Sequence, residues 1–191
     1  MTSHVFGVHD DKTLEQFNGL EIAPSAHLGD EVNIVQIEDN GMTLITEGRI
    51  QSADVIASFV PGHFFLNYEV KASMQSVANS FTVPVLKDDK LLGLLTSYSS
   101  KDQIVDIISP EIIAAFLKDA EDGKYQGFPS LGIGTTRTTD THFRDWLKLS
   151  SDEGGLYVTR VLPNSAAALA GIKKGDVLTA INDKPLDRRG Y

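Results

Sequence analysis

The side chains able to do chemistry are few and scattered along this 191-residue chain. Cysteine is absent, which excludes thiolate nucleophiles, cysteine–zinc sites and a disulfide framework together. Five histidines, His4, His9, His27, His63 and His142, stand far apart, in no spacing that would set two of them on one metal ion. Asp88-Asp89, Glu121-Asp122 and Asp152-Glu153 are paired carboxylates, but each pair falls in a turn, where acids are normally solvated, and none has the ligand spacing of a calcium loop. No glycine-rich loop follows a strand to cradle a phosphate. These residues call for no metal and no cofactor.

The elements that must position such groups come from patterning. A formal net charge of −9 argues against a nucleic-acid partner, because phosphate binding needs a basic face. The first residues, Met1 to Phe6, lack the basic start and apolar run of a secretion signal, and no apolar run approaches the ~20 residues of a membrane span. These features describe a soluble acidic protein and leave its compartment open, with the cell envelope implied only if the chain is part of a longer one. Val32 to Ile37 reads as a strand, Asp39-Asn40-Gly41 as a hairpin turn, and Thr43 to Ile50 as the return strand with a bulge or bend at Gly48. Asp54 to Val60, Phe64 to Val70, Val83 to Leu86, Leu91 to Thr96 and Ile104 to Ile108 read as further short strands. Strands this short and this regularly punctuated predict a closed barrel or a sandwich. Ser109 and Pro110 then open a helix, with Ile112, Ile113, Phe116 and Leu117 on one face. Further on, Asp140 caps a short helix whose Phe143, Trp146 and Leu147 share a face, which predicts that the sole tryptophan is core.

The most ordered local code lies near the end. Leu156 to Leu162 is a strand stopped by Pro163, Ser165 caps a short alanine-rich helix, and Gly171 stands where that helix must end in a left-handed residue. Gly175-Asp176 turns the chain into a second strand, Val177 to Ile181, and Asn182-Asp183 turns it out again. In this order and spacing the run from Gly155 to Ile181 resembles a PDZ domain of the bacterial HtrA/Deg type. The preceding strands and helix resemble the second barrel lobe of a Deg-type, chymotrypsin-like protease. The resemblance implies a mainly β fold in four parts: an N-terminal segment over 1–27, a barrel lobe with its terminal helix over 28–122, a linker over 123–127, and a PDZ-like unit over 128–191, shortened at its C-terminal end.

The resemblance also says where chemistry should lie. The family's nucleophile sits in a Gly-Asn-Ser-Gly-Gly-Pro run, and the matching run here is Ala78-Asn79-Ser80-Phe81-Thr82-Val83-Pro84. Ser80 is therefore the nucleophile candidate, although counting back from Pro84 puts Phe81 at the serine position; Ala78 replaces the first glycine, Phe81-Thr82-Val83 stand where two glycines belong, and non-glycine residues at positive φ cost on the order of 1 kcal/mol or more each. The best candidate base, His27 in Ser25-Ala26-His27, lies 53 positions before Ser80, and only 27 residues precede Leu28, where the family would carry a first lobe with the histidine and aspartate. The resemblance assigns a peptide-carboxylate loop to Ser130, Leu131, Gly132 and Ile133. The helix and strand that complete the groove in the family would follow Leu186, so their absence predicts exposed apolar surface at Leu131, Ile133 and Ile181. The leading expectation is a non-catalytic module that binds C-terminal or extended peptide segments of proteins. The rival is a fragment of an active PDZ-containing serine endopeptidase of protein quality control, and a purely structural assembly role, as a homo-oligomer, ranks third.

Overall fold

The computed structural model describes residues 12, 15, 17–38, 40–57, 63–74, 83–121 and 123–190. They divide into two compact units, one of the residues up to Phe128 apart from His63, and one of His63 with residues 129–190.

In the first unit, strand β1 (Glu31–Ile37) turns Val32 and Ile34 inward and leaves Glu31, Asn33 and Ile37 outside, the period of two that a half-buried strand requires. It pairs with β2 (Thr43–Ala57) across a turn in which Asn40 Oδ1 accepts from the Met42 amide at 2.8 Å and Gly41 takes a φ of 80°. The break expected before Asp54 does not occur. Residues 43–57 form one strand of 15, and its register shifts between Ile50 and Ser52, not at Gly48. Gly48 serves close packing instead, since a Cβ there would stand 2.6 Å from Val70 Cγ1. A long strand with one bulge can bend around a barrel without breaking its ladder, which two separate strands cannot do.

β2 pairs with β3 (Phe64–Lys71), β4 (Pro84–Lys87) and β5 (Lys90–Ser99) form a hairpin over Asp88 and Asp89, and β6 (Ile104–Ile108) joins β5 to β3. β4 pairs back onto β1, closing a barrel in the order β1-β2-β3-β6-β5-β4. Closure leaves no strand edge, and the interior fills with Ile34, Tyr68, Val70, Val85, Leu92, Val105 and Ile107. The Tyr68 ring is buried while its hydroxyl accepts from the Ala26 amide at 3.3 Å, and burial pushes that phenol above its usual pKa.

Helix α1 (Pro110–Ala120) follows β6. Proline at its first position needs no partner for the missing N–H. The Ser109 side chain was expected to cap it and does not: its hydroxyl is fully buried and makes no hydrogen bond. Of the expected apolar face only Ile113 is buried, and Leu117 is exposed. No helix among the described residues is long and apolar enough to cross a membrane.

The second unit holds a three-stranded sheet in the order β7 (Ile133–Arg137), β8 (Leu156–Val161) and β9 (Val177–Leu178), with helices α2 (Thr141–Leu147) and α3 (Ala166–Leu169) in the connections. The strand expected over Val177–Ile181 breaks at Thr179, whose carbonyl accepts from the Leu186 amide, so β10 (Ala180–Ile181) pairs with β11 (Lys184–Pro185) instead of extending β9. Asn182 and Asp183, both at positive φ, make the two-residue turn of that hairpin.

Candidate functional site

Capping sets the local geometry around β7 and β8. The Ser165 hydroxyl accepts from the Ala168 amide at 3.2 Å, and the other end of α3 is closed by amides of Gly171 and Ile172 on the carbonyls of Ala168 and Ala167, with Gly171 at a φ of 85°. That is the left-handed stop expected of a glycine there. Asp140 Oδ1 likewise accepts from the Phe143 amide at 2.8 Å and starts α2. Trp146 does not face inward as expected: it is 68 % exposed and stacks on Phe143, with the Tyr157 ring edge-on to both. The buried residue of α2 is Arg144, whose guanidinium donates to the carbonyls of Thr138, Ser150 and Glu153. A buried cation must be met by acceptors, and these carbonyls tie the β7–β8 connection to its helix, leaving the flat aromatic rings outside. The Glu153 carboxylate accepts from the amide and hydroxyl of Ser150, and those bonds hold its pKa below the usual carboxylate range.

The loop Ser130-Leu131-Gly132-Ile133 leads directly into β7. Leu131 O accepts from the Ala167 amide at 3.1 Å, and Gly132 O accepts from the Leu162 amide at 2.8 Å. Two successive carbonyls therefore point to the same side, toward the turn between β8 and α3. An extended chain would alternate them; the φ of 71° at Gly132 flips the peptide plane and prevents that. In a trans peptide the N–H points opposite to the carbonyl across the same C–N bond. The amides of Gly132 and Ile133 are consequently both directed away from the turn. The Gly132 amide is met by the Ser130 hydroxyl at 3.2 Å.

The bond from Leu162 to Gly132 also fixes the register. Ile133 faces Val161 as a pair that exchanges no hydrogen bonds, so both backbone groups of Ile133 point to the outer side of β7. Among the described residues no strand pairs with that side. Leu131 is 48 % exposed, Ile181 is 50 % exposed, and Ile133 is half-buried. Gly132 is buried against Ser165, and a Cβ on it would overlap Ser165 Cβ and lie 3.0 Å from Ser165 Oγ.

Ser80, with Ala78, Asn79 and Phe81, lies outside the described residues, as do His4 and His9. His27 is an exposed residue whose Nδ1 stands 3.9 Å from Asp30 Oδ2, His63 is half-buried, and His142 is an exposed residue of α2. No group of three or more His, Cys, Asp or Glu among the described residues could hold a metal ion. Arg160, which patterning did not single out, lies on β8 opposite Gly134 of β7. In the sequence it is one more polar residue on the outward side of a strand, and only the pairing reveals what stands next to it.

Among the described residues, a closed six-stranded barrel followed by a unit with an open strand edge behind a glycine loop defines the class: a protease-type β-barrel lobe joined to a PDZ-like unit. The pattern of the PDZ domain family matches residues 157–190. Protease Do-like 2, chloroplastic, of Arabidopsis thaliana is 28 % identical over 169 residues, covering 86 % of this chain and 27 % of that protein. Periplasmic serine endoprotease DegP of Escherichia coli (strain K12) is 62 % identical over 32 residues, 17 % of this chain and 7 % of that protein. Among solved structures, the HtrA-type protease AlgW with tripeptide aligns with a TM-score of 0.63 at 19 % identity, over 87 % of this chain and 56 % of that one. AlgW with decapeptide aligns with a TM-score of 0.61 at 18 % identity, over 90 % and 53 %. This chain is related to HtrA/Deg-type proteases that carry a PDZ domain, and it spans about a quarter of the length of the Arabidopsis relative.

Proposed function

We propose that this chain binds the C-terminal segments of other proteins, taking the ligand as an extra strand on the outer side of β7 and its carboxylate on the amide of Ile133 and, in place of the Ser130 hydroxyl, on that of Gly132. The observation that carries this reading is the pair of like-directed amides at the head of a strand edge that is unpaired among the described residues. Strand addition supplies affinity through the main chain, and a neighbouring pocket supplies selectivity. Leu131 and Ile133 flank the amides and would meet the last side chain. AlgW, of similar fold, was solved with a tripeptide and with a decapeptide.

On this reading the chain does not cut what it binds. Ala78 and Phe81 stand where the nucleophile turn of the related proteases requires glycine, and an oxyanion hole assembled from a strained turn is lost when the turn cannot form. The likeness to a protease over 86 % of the chain favours the second reading, part of a working endopeptidase. Two measurements separate them. A fluorescent peptide with a free, apolar C-terminus should bind at least about tenfold more tightly than its C-terminal amide, as expected for charge-assisted hydrogen bonds to a carboxylate. A fluorophosphonate probe should leave the chain unlabelled and casein should stay intact; labelling that disappears in Ser80→Ala would establish the endopeptidase.

A further inference from the structure

We infer that Arg160 reads the penultimate side chain of the ligand and selects Asp or Glu there. The inference rests on the strand-addition reading above and concerns the same edge.

The register follows from the loop. With the ligand carboxylate at the amides of Gly132 and Ile133, and both backbone groups of Ile133 on the open side, the last ligand residue lies beside Ile133. An antiparallel ligand then sets its penultimate residue beside Gly134. Directly opposed residues in neighbouring strands send their side chains to the same face. Gly134 is opposite Arg160 on β8, so the penultimate ligand side chain, Gly134 and Arg160 form one row across the sheet. A Cβ on Gly134 would lie 3.6 Å from Arg160 Cβ and 3.0 Å from Thr159 Oγ1, which puts both β8 residues on that face.

Glycine at the middle of this row leaves an open lane. Strands β8 and ligand are two spacings apart, about 10 Å, and an arginine and a carboxylate side chain leaning toward each other over a residue without a side chain can close that gap. Any larger residue at position 134 would stand between them. Arg160 is exposed, and among the described residues neither hydrogen bond nor ion pair engages its guanidinium. It is therefore available, unlike Arg144, which is consumed by three carbonyls. The surroundings suit an anion as well: residues 129–191 carry nine Lys and Arg against seven Asp and Glu, although the whole chain is at −9. A planar fork of donors is also the group that best matches a carboxylate.

The test is fluorescence anisotropy with the full chain and peptides identical except at the penultimate position, which holds Glu, Gln or Lys, each made with a free carboxylate and as the amide. Glu should bind about three- to fivefold more tightly than Gln, the size of an exposed ion pair, with Lys weakest and the spread shrinking in high salt. Moving the Glu one residue upstream should forfeit the gain, because the alternate position faces the other side of the sheet. Arg160→Gln should equalise Glu and Gln, and Arg160→Glu should invert the order in favour of Lys, with folding of both variants checked by Trp146 fluorescence. If amidation abolishes binding but Glu, Gln and Lys bind alike, the Arg160 assignment is wrong and the groove stands. If amidation changes nothing, the groove reading fails and this inference with it.

Discussion

Replacing Gly132 with alanine asks whether the loop that aims the two amides is locked to the cap of α3. Two costs add. At a φ of 71° an L-residue incurs about 1–2 kcal/mol of backbone strain. The new Cβ would also overlap Ser165 Cβ, and relieving such overpacking typically costs about 1–3 kcal/mol more. Gly171 is the internal control, since it has a φ of 85° but nothing within 4 Å of its would-be Cβ. Gly171→Ala should therefore cost about 1–2 kcal/mol and Gly132→Ala about 2–5 kcal/mol. The overlap is with a side chain that can be removed. Ser165→Gly by itself forfeits only a few tenths of a kcal/mol, because glycine is an acceptable N-cap. The double variant Gly132→Ala/Ser165→Gly should then be more stable than Gly132→Ala alone, a coupling of about 1–3 kcal/mol between residues in contact. Urea unfolding followed by fluorescence of the single tryptophan, Trp146, reports on the unit that contains all three positions. Equal losses for Gly132→Ala and Gly171→Ala, or no recovery in the double variant, would refute the packing argument.

Three further outcomes are expected. Ser109→Ala should change stability by no more than about 0.5 kcal/mol, and in the stabilising direction if at all, because it deletes a buried hydroxyl without a partner; Asp140→Ala should cost about 1 kcal/mol by freeing the Phe143 amide, and paired urea titrations would show the contrast. Acid should weaken the barrel unit through Asp30, whose pKa is held down by the Lys87 ammonium at 2.7 Å and by the His27 amide. Because the folded carboxyl is more acidic than the unfolded one, at about 3.9, its contribution is present above that value and is lost as pH falls through the folded pKa. Asp30→Asn should remove that part of the acid limb, and an unchanged dependence of melting temperature on pH below 5 would count against the pair.

Much of this fold is legible in the residues because its signals are local. Ser165 and Asp140 cap their helices, Gly171 takes the left-handed stop, and Asn182-Asp183 makes a tight turn, since each of these depends on a few neighbouring dihedrals that the residue type itself restricts. The inward alternation along β1 and the barrel class follow in the same way. What the residues did not reveal is decided by distant partners. Ser109 has the chemistry of a cap, yet its hydroxyl is buried and unpaired. Trp146 has the hydropathy of a core residue, yet Arg144, two positions earlier and so on the opposite side of the same short helix, takes the inward direction because carbonyls of residues 138, 150 and 153 converge there. The strand over Val177–Ile181 breaks because Thr179 is claimed by Leu186. The direction of the amides at Gly132 and Ile133, and the alignment of Arg160 with Gly134, are likewise products of the β7–β8 register. Residue types set which groups can donate, accept or turn; only strand pairing across more than twenty residues decides which way those groups point.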